Sequence, residues 1–286
     1  MKYSALIGNP VEHSCSPTLF AYLGKISNME YSHIKIKVDS KDNLKHVIDS
    51  LNDLGFCGIN VTCPYKVDCF SLVDKVDDSC KNVGSVNTIK KIGNNIVGFN
   101  TDGIAGINSI CEIRKITSND KVVIFGAGGV ARSIVYEISR LTKNITIFNI
   151  NKKETQQMLN FLGNCFDSFD LSDRIVIERY LKDASLVINC TSVGMKPDIN
   201  NSIITEKEIR KCENKNCVFF DVVFNPWETK FIKYAKKYGF STVCGGKMLI
   251  NQAILAFQIW TGILLDVKKI NFQELEKILT NEINGK

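Results

Sequence analysis

An apolar run, Val122-Val123-Ile124-Phe125, leads into Gly126-Ala127-Gly128-Gly129-Val130-Ala131 and then into a segment with helical spacing. Glycines in the order G-x-G-x-x-G/A, between a strand and a helix, are the fingerprint of a dinucleotide loop. Gly126 permits the tight turn, Gly128 lets a pyrophosphate approach the backbone, and Ala131 lets helix and strand pack closely. The exposed amides at the helix start, with the helix dipole, receive phosphate charge. Near the N-terminus, Ser14 and Ser16 alternate around Cys15. Their hydroxyls can converge on one side of a turn and hydrogen-bond a carboxylate, although Ser16 is equally suited to cap the helix that follows. Lys66 stands just past a predicted strand end, where α/β proteins place ligand sites. A lysine taken singly is most often a solvated charge.

The elements that must position these residues alternate between strand and helix. Lys2–Gly8 is a short apolar run, and Ser16-Pro17 predicts a helix start. Tyr31–Val38 alternates as a strand does, and Ser40 caps a helix with Leu44, Val47, Ile48 and Leu51 at helical spacing. A strand follows at Gly58–Thr62, then a helix after Pro64, and a hairpin over Ser85–Thr101 about Gly93-Asn94-Asn95. A second α/β unit begins with a helix at Asp102–Ile113. Its strands are expected at Lys121–Phe125, Asn144–Ile150, Ser185–Cys190, Val218–Val223 and Ser241–Val243, with helices at Val130–Leu141 and from Thr229 to Tyr238. Residues 151–184 are polar and irregular, with one or two short helices expected, and the last forty residues read as helical. Strands joined through helices imply mostly parallel sheets. The expected class is therefore α/β with two domains: residues 1–101, a Rossmann-type doubly wound nucleotide domain of 102–243, and C-terminal helices of 244–286. The pair Gly245-Gly246 offers a crossing between them.

With 286 residues, 44% hydrophobic and 23% charged, the chain has the composition of an ordinary globular protein with room for two cores. The apolar stretch Met248–Leu265 is broken by Asn251, Gln252 and Gln258, which argues for a buried helix rather than a membrane span. No signal-peptide core precedes Gly8 and Pro10. Eleven cysteines without a C-x-x-C pair, and no histidine near Cys57, Cys63 or Cys69, predict free thiols in a reducing cytoplasm and no metal site. A net charge of +6 spread along the chain suits anionic small ligands and gives little support to nucleic-acid binding.

Six further segments, together with the glycine loop, resemble shikimate dehydrogenases over nearly the full chain and in that family's order. They are Gly8–Pro17, Asn60–Lys66, Gly84–Thr88, Gly98–Gly103, Asp221–Pro226 and Gly245–Ala253. The resemblance implies an NADP-dependent oxidoreductase that interconverts 3-dehydroshikimate and shikimate, a step of chorismate and aromatic amino acid biosynthesis. It implies that Ser14 and Ser16 hold the substrate carboxylate, and that Thr62, Asn87 and Gln252, neutral groups that both donate and accept, bind ring hydroxyls. Lys66 becomes the acid/base and Asp102 its partner, because hydride transfer to a ketone builds negative charge that needs a donor and finally a proton. Asn100-Thr101-Asp102-Gly103 also suits a helix N-cap, Asn87 a turn, Gln252 a partly buried helix position, and Asp78, matched to a position near the cofactor, a surface carboxylate. Val222 and Gly245 complete the cofactor residues that the resemblance implies, and the C-terminal helices return to the substrate domain.

Two departures stand out. Phe224 replaces the family's usual tyrosine, so a substrate-facing hydroxyl is lost. The adenosine ribose is expected at the end of the strand Ile145–Asn149. Asn149 there, in place of an acid, tolerates a 2′-phosphate, but Ile150 and Asn151 stand where the family has arginine and then threonine or serine. Lys152 and Lys153 come next, either able to place an ammonium beside the phosphate or to be a solvated charge at a helix start. NADP is expected over NAD, with weaker discrimination than an arginine gives. The alternatives are a quinate/shikimate dehydrogenase using NAD, and a non-catalytic nucleotide sensor, which would have little reason to keep Lys66 and Asp102 together. The expected partners are small molecules, with no nucleic acid and no membrane, and the chain is expected as a monomer or homodimer.

Overall fold

A computed structural model describes residues 1–266, 269–283 and 285. The chain forms two compact units, Met1–Thr101 with Gln252–Lys286, and Asp102–Asn251. The fold is α/β in both, as the alternation of elements predicts.

The first unit runs β1 (Lys2–Gly8), α1 (Ser16–Ile26), β2 (Tyr31–Lys37), α2 (Leu44–Asp53), β3 (Gly58–Val61), β4 (Lys75–Val76), α3 (Asp78–Lys81), β5 (Thr88–Ile92) and β6 (Asn95–Phe99). Its sheet has the order β2-β1-β3-β5-β6-β4. The pairs β1/β2, β1/β3 and β4/β6 are parallel, and β5 runs antiparallel to β3 and β6. One core gathers Ala5, Ile7, Leu44, Ile48, Val61 and Ile89. Elsewhere in the unit Phe20 stacks on Trp260 at 5.1 Å, and the Trp260 indole donates to Ile89 O at 3.0 Å. A methyl group at Gly58 would lie 2.1 Å from that indole, so only glycine lets the C-terminal segment pack there.

Three local expectations for this unit change. After Pro64 there is a 3-10 turn at Asp68–Ser71 and the four-residue α3 in place of a regular helix. The Lys66 carbonyl accepts from Val86 N at 2.8 Å, and the buried Tyr65 hydroxyl donates to Val38 O at 2.6 Å, so this segment is tied to its neighbours as well as through its own turn bonds. The hairpin closes over Gly93-Asn94 alone, with Gly93 at φ +59° between the paired Ile92 and Asn95. At the start of α1 the cap position is Cys15, with no side-chain bond, and Ser16 lies in the first turn.

The second unit runs α4 (Asp102–Cys111), β7 (Val122–Phe125), α5 (Gly129–Ser139), β8 (Ile145–Asn149), α6 (Lys152–Leu162), β9 (Asp167–Asp170), α7 (Arg174–Leu181), β10 (Leu186–Asn189), α8 (Glu206–Ile209), β11 (Val218–Asp221), α9 (Lys230–Lys237) and β12 (Ser241–Val243). Its sheet is parallel throughout, in the order β12-β11-β10-β7-β8-β9, the doubly wound arrangement. Central strands such as Val122–Phe125 are buried on both faces and so read as unbroken apolar runs. Phe125, Phe148, Phe219 and Phe231 share one core cluster. β9 was not expected: its sequence Asp-Ser-Phe-Asp lies at the sheet edge, mostly exposed, and carries no apolar pattern.

The last helices are α10 (Gly245–Thr261) and α11 (Phe272–Ile283). Gly245 and Gly246, expected at a crossing, open α10 and are close-packed. A methyl group at Gly245 would lie 2.3 Å from Val222 O, and one at Gly246 2.1 Å from the Trp227 ring. No helix among the described residues is long and apolar enough to cross a membrane. All eleven cysteines are free, and no group of metal-ligating side chains is present among the described residues.

Candidate functional site

In the first unit the loops after β1 and β3 are fastened side by side. Thr62 N donates to Ile7 O at 2.9 Å and Asn9 N to Cys63 O at 3.1 Å. Gly8 makes this approach possible, since a methyl group there would meet Thr62 Cγ2 at 2.3 Å. The loop that follows turns back through Ser14 N to Val11 O at 3.1 Å, and the Lys35 ammonium donates to the carbonyls of Glu12 and Ser14 at 2.7 and 3.4 Å. Ser14 Oγ donates to Ser16 Oγ at 3.0 Å and accepts from Ser16 N at 3.2 Å. The two hydroxyls thus converge, as their alternation around Cys15 predicts.

Lys66 is half-buried on the segment held by Tyr65 and Val86. Thr62, also half-buried, stands at the start of that segment. Asn87 is buried, and its amide is engaged within the chain. Its Nδ2 donates to Thr101 Oγ1 at 2.9 Å, and its Oδ1 accepts from Thr101 N and from the Thr88 hydroxyl, each at 2.9 Å. Asn100 is likewise fixed, donating to Ser85 O and Oγ at 3.1 and 2.9 Å. Gln252 is half-buried on α10. Asp78 is exposed at the start of α3 and pairs with Lys81 at 2.5 Å, a contact that holds its carboxyl below the ordinary range. That is the geometry of a surface carboxylate.

In the second unit Asp102 is buried at the first position of α4. The glycine loop leaves β7 beside β10, at the point where the strand order reverses and where doubly wound sheets bind ligands. Gly126 has φ +99°, and a methyl group on it would meet Thr191 Cγ2 at 3.0 Å, so glycine is required twice over. Gly128 differs. Its φ of −72° suits any residue, and nothing lies within 4 Å of where a methyl group would stand. Neither backbone nor packing asks for glycine there, whereas a pyrophosphate laid on the α5 amides does. Ala127 and Ala131 are buried, and Gly129 and Val130 are half-buried at the helix start. These residues fit a dinucleotide.

Past β8, Asn149 Nδ2 donates to Asn151 O at 2.8 Å and Thr155 Oγ1 at 3.2 Å. Asn151 caps α6, its Oδ1 accepting from Lys153 N and Glu154 N at 3.0 and 3.3 Å. Lys152 and Lys153 are exposed on the first turn, where cations oppose the helix dipole unless an anion joins them. Val222 and Gly245 are brought together by the close contact at the start of α10. Phe224 is half-buried just beyond β11.

Two features here were not assigned a role from the sequence, although Asp221 opens the Asp221–Pro226 segment that carries the resemblance. Asp221, fully buried at the end of β11, accepts from Asn189 Nδ2 and Val223 N, each at 3.0 Å, and from the Thr229 hydroxyl at 2.6 Å. Asn189 Oδ1 in turn accepts from Thr191 N and its hydroxyl at 3.1 and 2.7 Å, which fixes the wall against which Gly126 turns. The second is Arg132, one turn into α5. It is 4% exposed, its Nε has no partner, and its guanidinium lies 5.4 Å over the Phe161 ring.

Residues 6–89 match the family model for the shikimate dehydrogenase substrate binding domain, and residues 247–271 match that for the shikimate 5′-dehydrogenase C-terminal domain. The shikimate dehydrogenase (NADP(+)) of Methanococcus vannielii is 37% identical over 271 residues, which cover 90% of each chain. A crystal structure of a shikimate dehydrogenase in complex with NADP+ matches 100% of this chain and 95% of its own, at 31% identity and a TM-score of 0.84. The shikimate 5-dehydrogenase of Listeria monocytogenes, in complex with shikimate and NAD, matches at 26% identity and a TM-score of 0.86, over 98% of this chain and 96% of its own. The chain belongs to the shikimate dehydrogenase family.

Proposed function

We propose that the protein catalyses the reversible NADPH-dependent reduction of 3-dehydroshikimate to shikimate. The observation that carries this reading is the convergence of Ser14 Oγ and Ser16 Oγ, 3.0 Å apart, on a loop clipped to the segment that bears Thr62 and Lys66. Two hydroxyls so placed suit a carboxylate, which accepts without donating. The same segments lie within the matched substrate binding domain.

When bound, the nicotinamide cofactor supplies the hydride. Gly126, Ala127, Gly128, Gly129 and Val130 would hold its pyrophosphate, Asn149, Asn151, Lys152 and Lys153 would serve the adenosine ribose and its phosphate, and Val222 and Gly245 would serve the nicotinamide end. Thr62, Asn87 and Gln252 orient the ring hydroxyls, and Phe224 packs without the hydroxyl that a tyrosine would bring. Lys66 Nζ donates to the substrate's carbonyl oxygen as negative charge develops on it, with Asp102 as its partner at the reacting oxygen. In the oxidative direction the proton returns to that pair.

The test is a spectrophotometric assay of purified protein with shikimate or quinate, each against NADP and NAD. Turnover of shikimate with NADP, at a kcat/KM above the other three combinations, is expected. Turnover of quinate with NAD as the dominant activity would replace this reading with the quinate one, and no turnover in any arm would leave a nucleotide-binding protein.

A further inference from the structure

Along β10 and β11 the strands pair Leu186 with Val218, Val187 with Phe219 and Ile188 with Phe220, all of them apolar. The last pair in that register is Asn189 with Asp221, and both are fully buried. An apolar pair would be the easier choice for a core, since buried polar groups lose water and need hydrogen bonds to offset the loss. The donors to Asp221 do not offset its burial completely, because its carboxyl still lies well above the ordinary range. Stability therefore gives no reason for this pair, and its place in the sheet supplies one. It stands at the carboxyl ends of the strands, beside the switch point between β7 and β10, where doubly wound sheets bind ligands.

The pair holds both loops that leave those ends. On one side, Asn189 Oδ1 accepts from Thr191 N and its hydroxyl, and Asn189 Nδ2 donates to Val193 O at 3.2 Å. On the other, Asp221 accepts from Val223 N and the Thr229 hydroxyl, and Val222 N donates to Asn189 O at 3.0 Å. The bond from Asn189 Nδ2 to Asp221 joins the two sides, and Lys196 N to Asn225 O, also 3.0 Å, joins them farther out. Val222 and Val223 in turn set the start of α10, because their carbonyls lie 2.3 and 2.5 Å from where a methyl group on Gly245 would stand. The adenosine half of a dinucleotide belongs on the opposite side of the switch point, at Asn149, which leaves the β10–β11 side to the nicotinamide half.

Building on the reading of the chain as a nicotinamide-dependent dehydrogenase, we infer that Asn189 and Asp221 are positioning residues that place the nicotinamide ring. Both are fully buried and act through Thr191, Val222 and Val223, whose backbone they fix. A hydride donor misplaced by about 1 Å loses on the order of a hundredfold in rate, so a rigid clamp serves the reaction where an apolar pair would not.

The test reads the two halves of the cofactor separately. Dissociation constants are measured for NADPH by nucleotide fluorescence, and for 2′,5′-ADP, which lacks the nicotinamide, by calorimetry. The emission of bound NADPH and the rate of hydride transfer in a single turnover complete the set. The proteins are wild type, Asn189→Ala, Asp221→Ala, Asp221→Asn, Thr191→Val and Thr205→Ala, with a urea midpoint for each. Thr205 caps α8, outside the network, so its variant controls for lost stability alone. Asn189→Ala and Asp221→Ala should slow hydride transfer about tenfold or more. They should also shift the emission of bound NADPH and leave 2′,5′-ADP binding nearly unchanged. Asp221→Asn keeps an oxygen for Asn189 Nδ2 and Val223 N and should recover most of the rate. Thr191→Val removes a single hydroxyl from the network, so it keeps the comparison open if an alanine variant does not fold, and should show the same changes on a smaller scale. Thr205→Ala should lose stability with neither change. Weakening of NADPH and 2′,5′-ADP in step would overturn the inference, as would losses of rate that simply follow stability, Thr205→Ala included. Unchanged emission and rate in the network variants would overturn it too. A wild type that turns over no shikimate, yet whose bound NADPH changes emission in these variants, would uphold it and overturn the proposed reaction instead. Failure to bind NADPH at all would overturn both.

Discussion

Asn87 and Thr101 are joined by two hydrogen bonds of 2.9 Å, Asn87 Nδ2 to Thr101 Oγ1 and Thr101 N to Asn87 Oδ1. The residue after Thr101 is Asp102, so a side chain expected to meet substrate also fixes the backbone from which the candidate acid/base partner springs. Asn87→Ala should therefore act on stability as well as on binding. Leaving the buried Thr101 groups without partners should cost about 1–3 kcal/mol, read as a lower urea midpoint. A variant of unchanged stability with a raised shikimate KM would mean that Asn87 serves substrate alone.

Lys66→Ala should lower kcat by orders of magnitude and change the shikimate KM much less, because acid/base assistance acts mainly in the transition state. Asp102→Asn should also lower kcat severely. The double variant should fall well short of the product of the two single effects, since the pair acts as a unit. Stopped-flow single turnover at saturating cofactor measures this directly. Near-normal turnover in Lys66→Ala would remove lysine from the chemistry.

Ser14→Ala and Ser16→Ala should each raise the shikimate KM, by about 1–2 kcal/mol per lost bond, and leave the NADP KM nearly unchanged. The hydrogen bonding makes the two unequal. Ser14 Oγ also accepts from Ser16 N, so Ser14→Ala loosens the start of α1 as well and should have the larger effect. If steady-state kinetics showed both ligands weakened alike, the loop would be structural only.

Burial pushes the Asp221 carboxyl from 3.8 up to about 7, against the donors Thr229, Val223 and Asn189. Between those pH values the folded chain keeps a proton that the unfolded chain has released. The contribution of Asp221 to stability is thus full below about pH 3.8, falls as pH rises towards 7, and is level beyond. Asp120 and Glu208, held low against burial by Arg114 and Arg174, act in the opposite sense. The difference between wild type and Asp221→Asn isolates the buried carboxyl. In urea titrations from pH 4 to 7, wild type should lose stability relative to the variant, and a constant difference would show that Asp221 stays ionised.

The alternation of elements, the class of fold and the glycine loop were legible in the amino-acid sequence alone. Apolar runs such as Val122–Phe125 and the turn chemistry of Gly126 are local, and one residue's neighbours suffice to read them. The alternation of Ser14 and Ser16 around Cys15 allowed their hydroxyls to converge, and the fold of the loop brings them together. Other properties depended on groups far away in the chain. β9 is a strand through its pairing with β8, since an exposed edge needs no apolar pattern. The segment after Pro64 forms only short turns and is fastened to Val38 and Val86, partners far from it in the sequence. Gly245 and Gly246 are glycines because Val222 and Trp227 crowd them. Asp221 opens a segment that the resemblance marks, but only the packing that takes water from it turns its carboxyl towards the neutral form, and only packing buries the Arg132 Nε without a hydrogen bond.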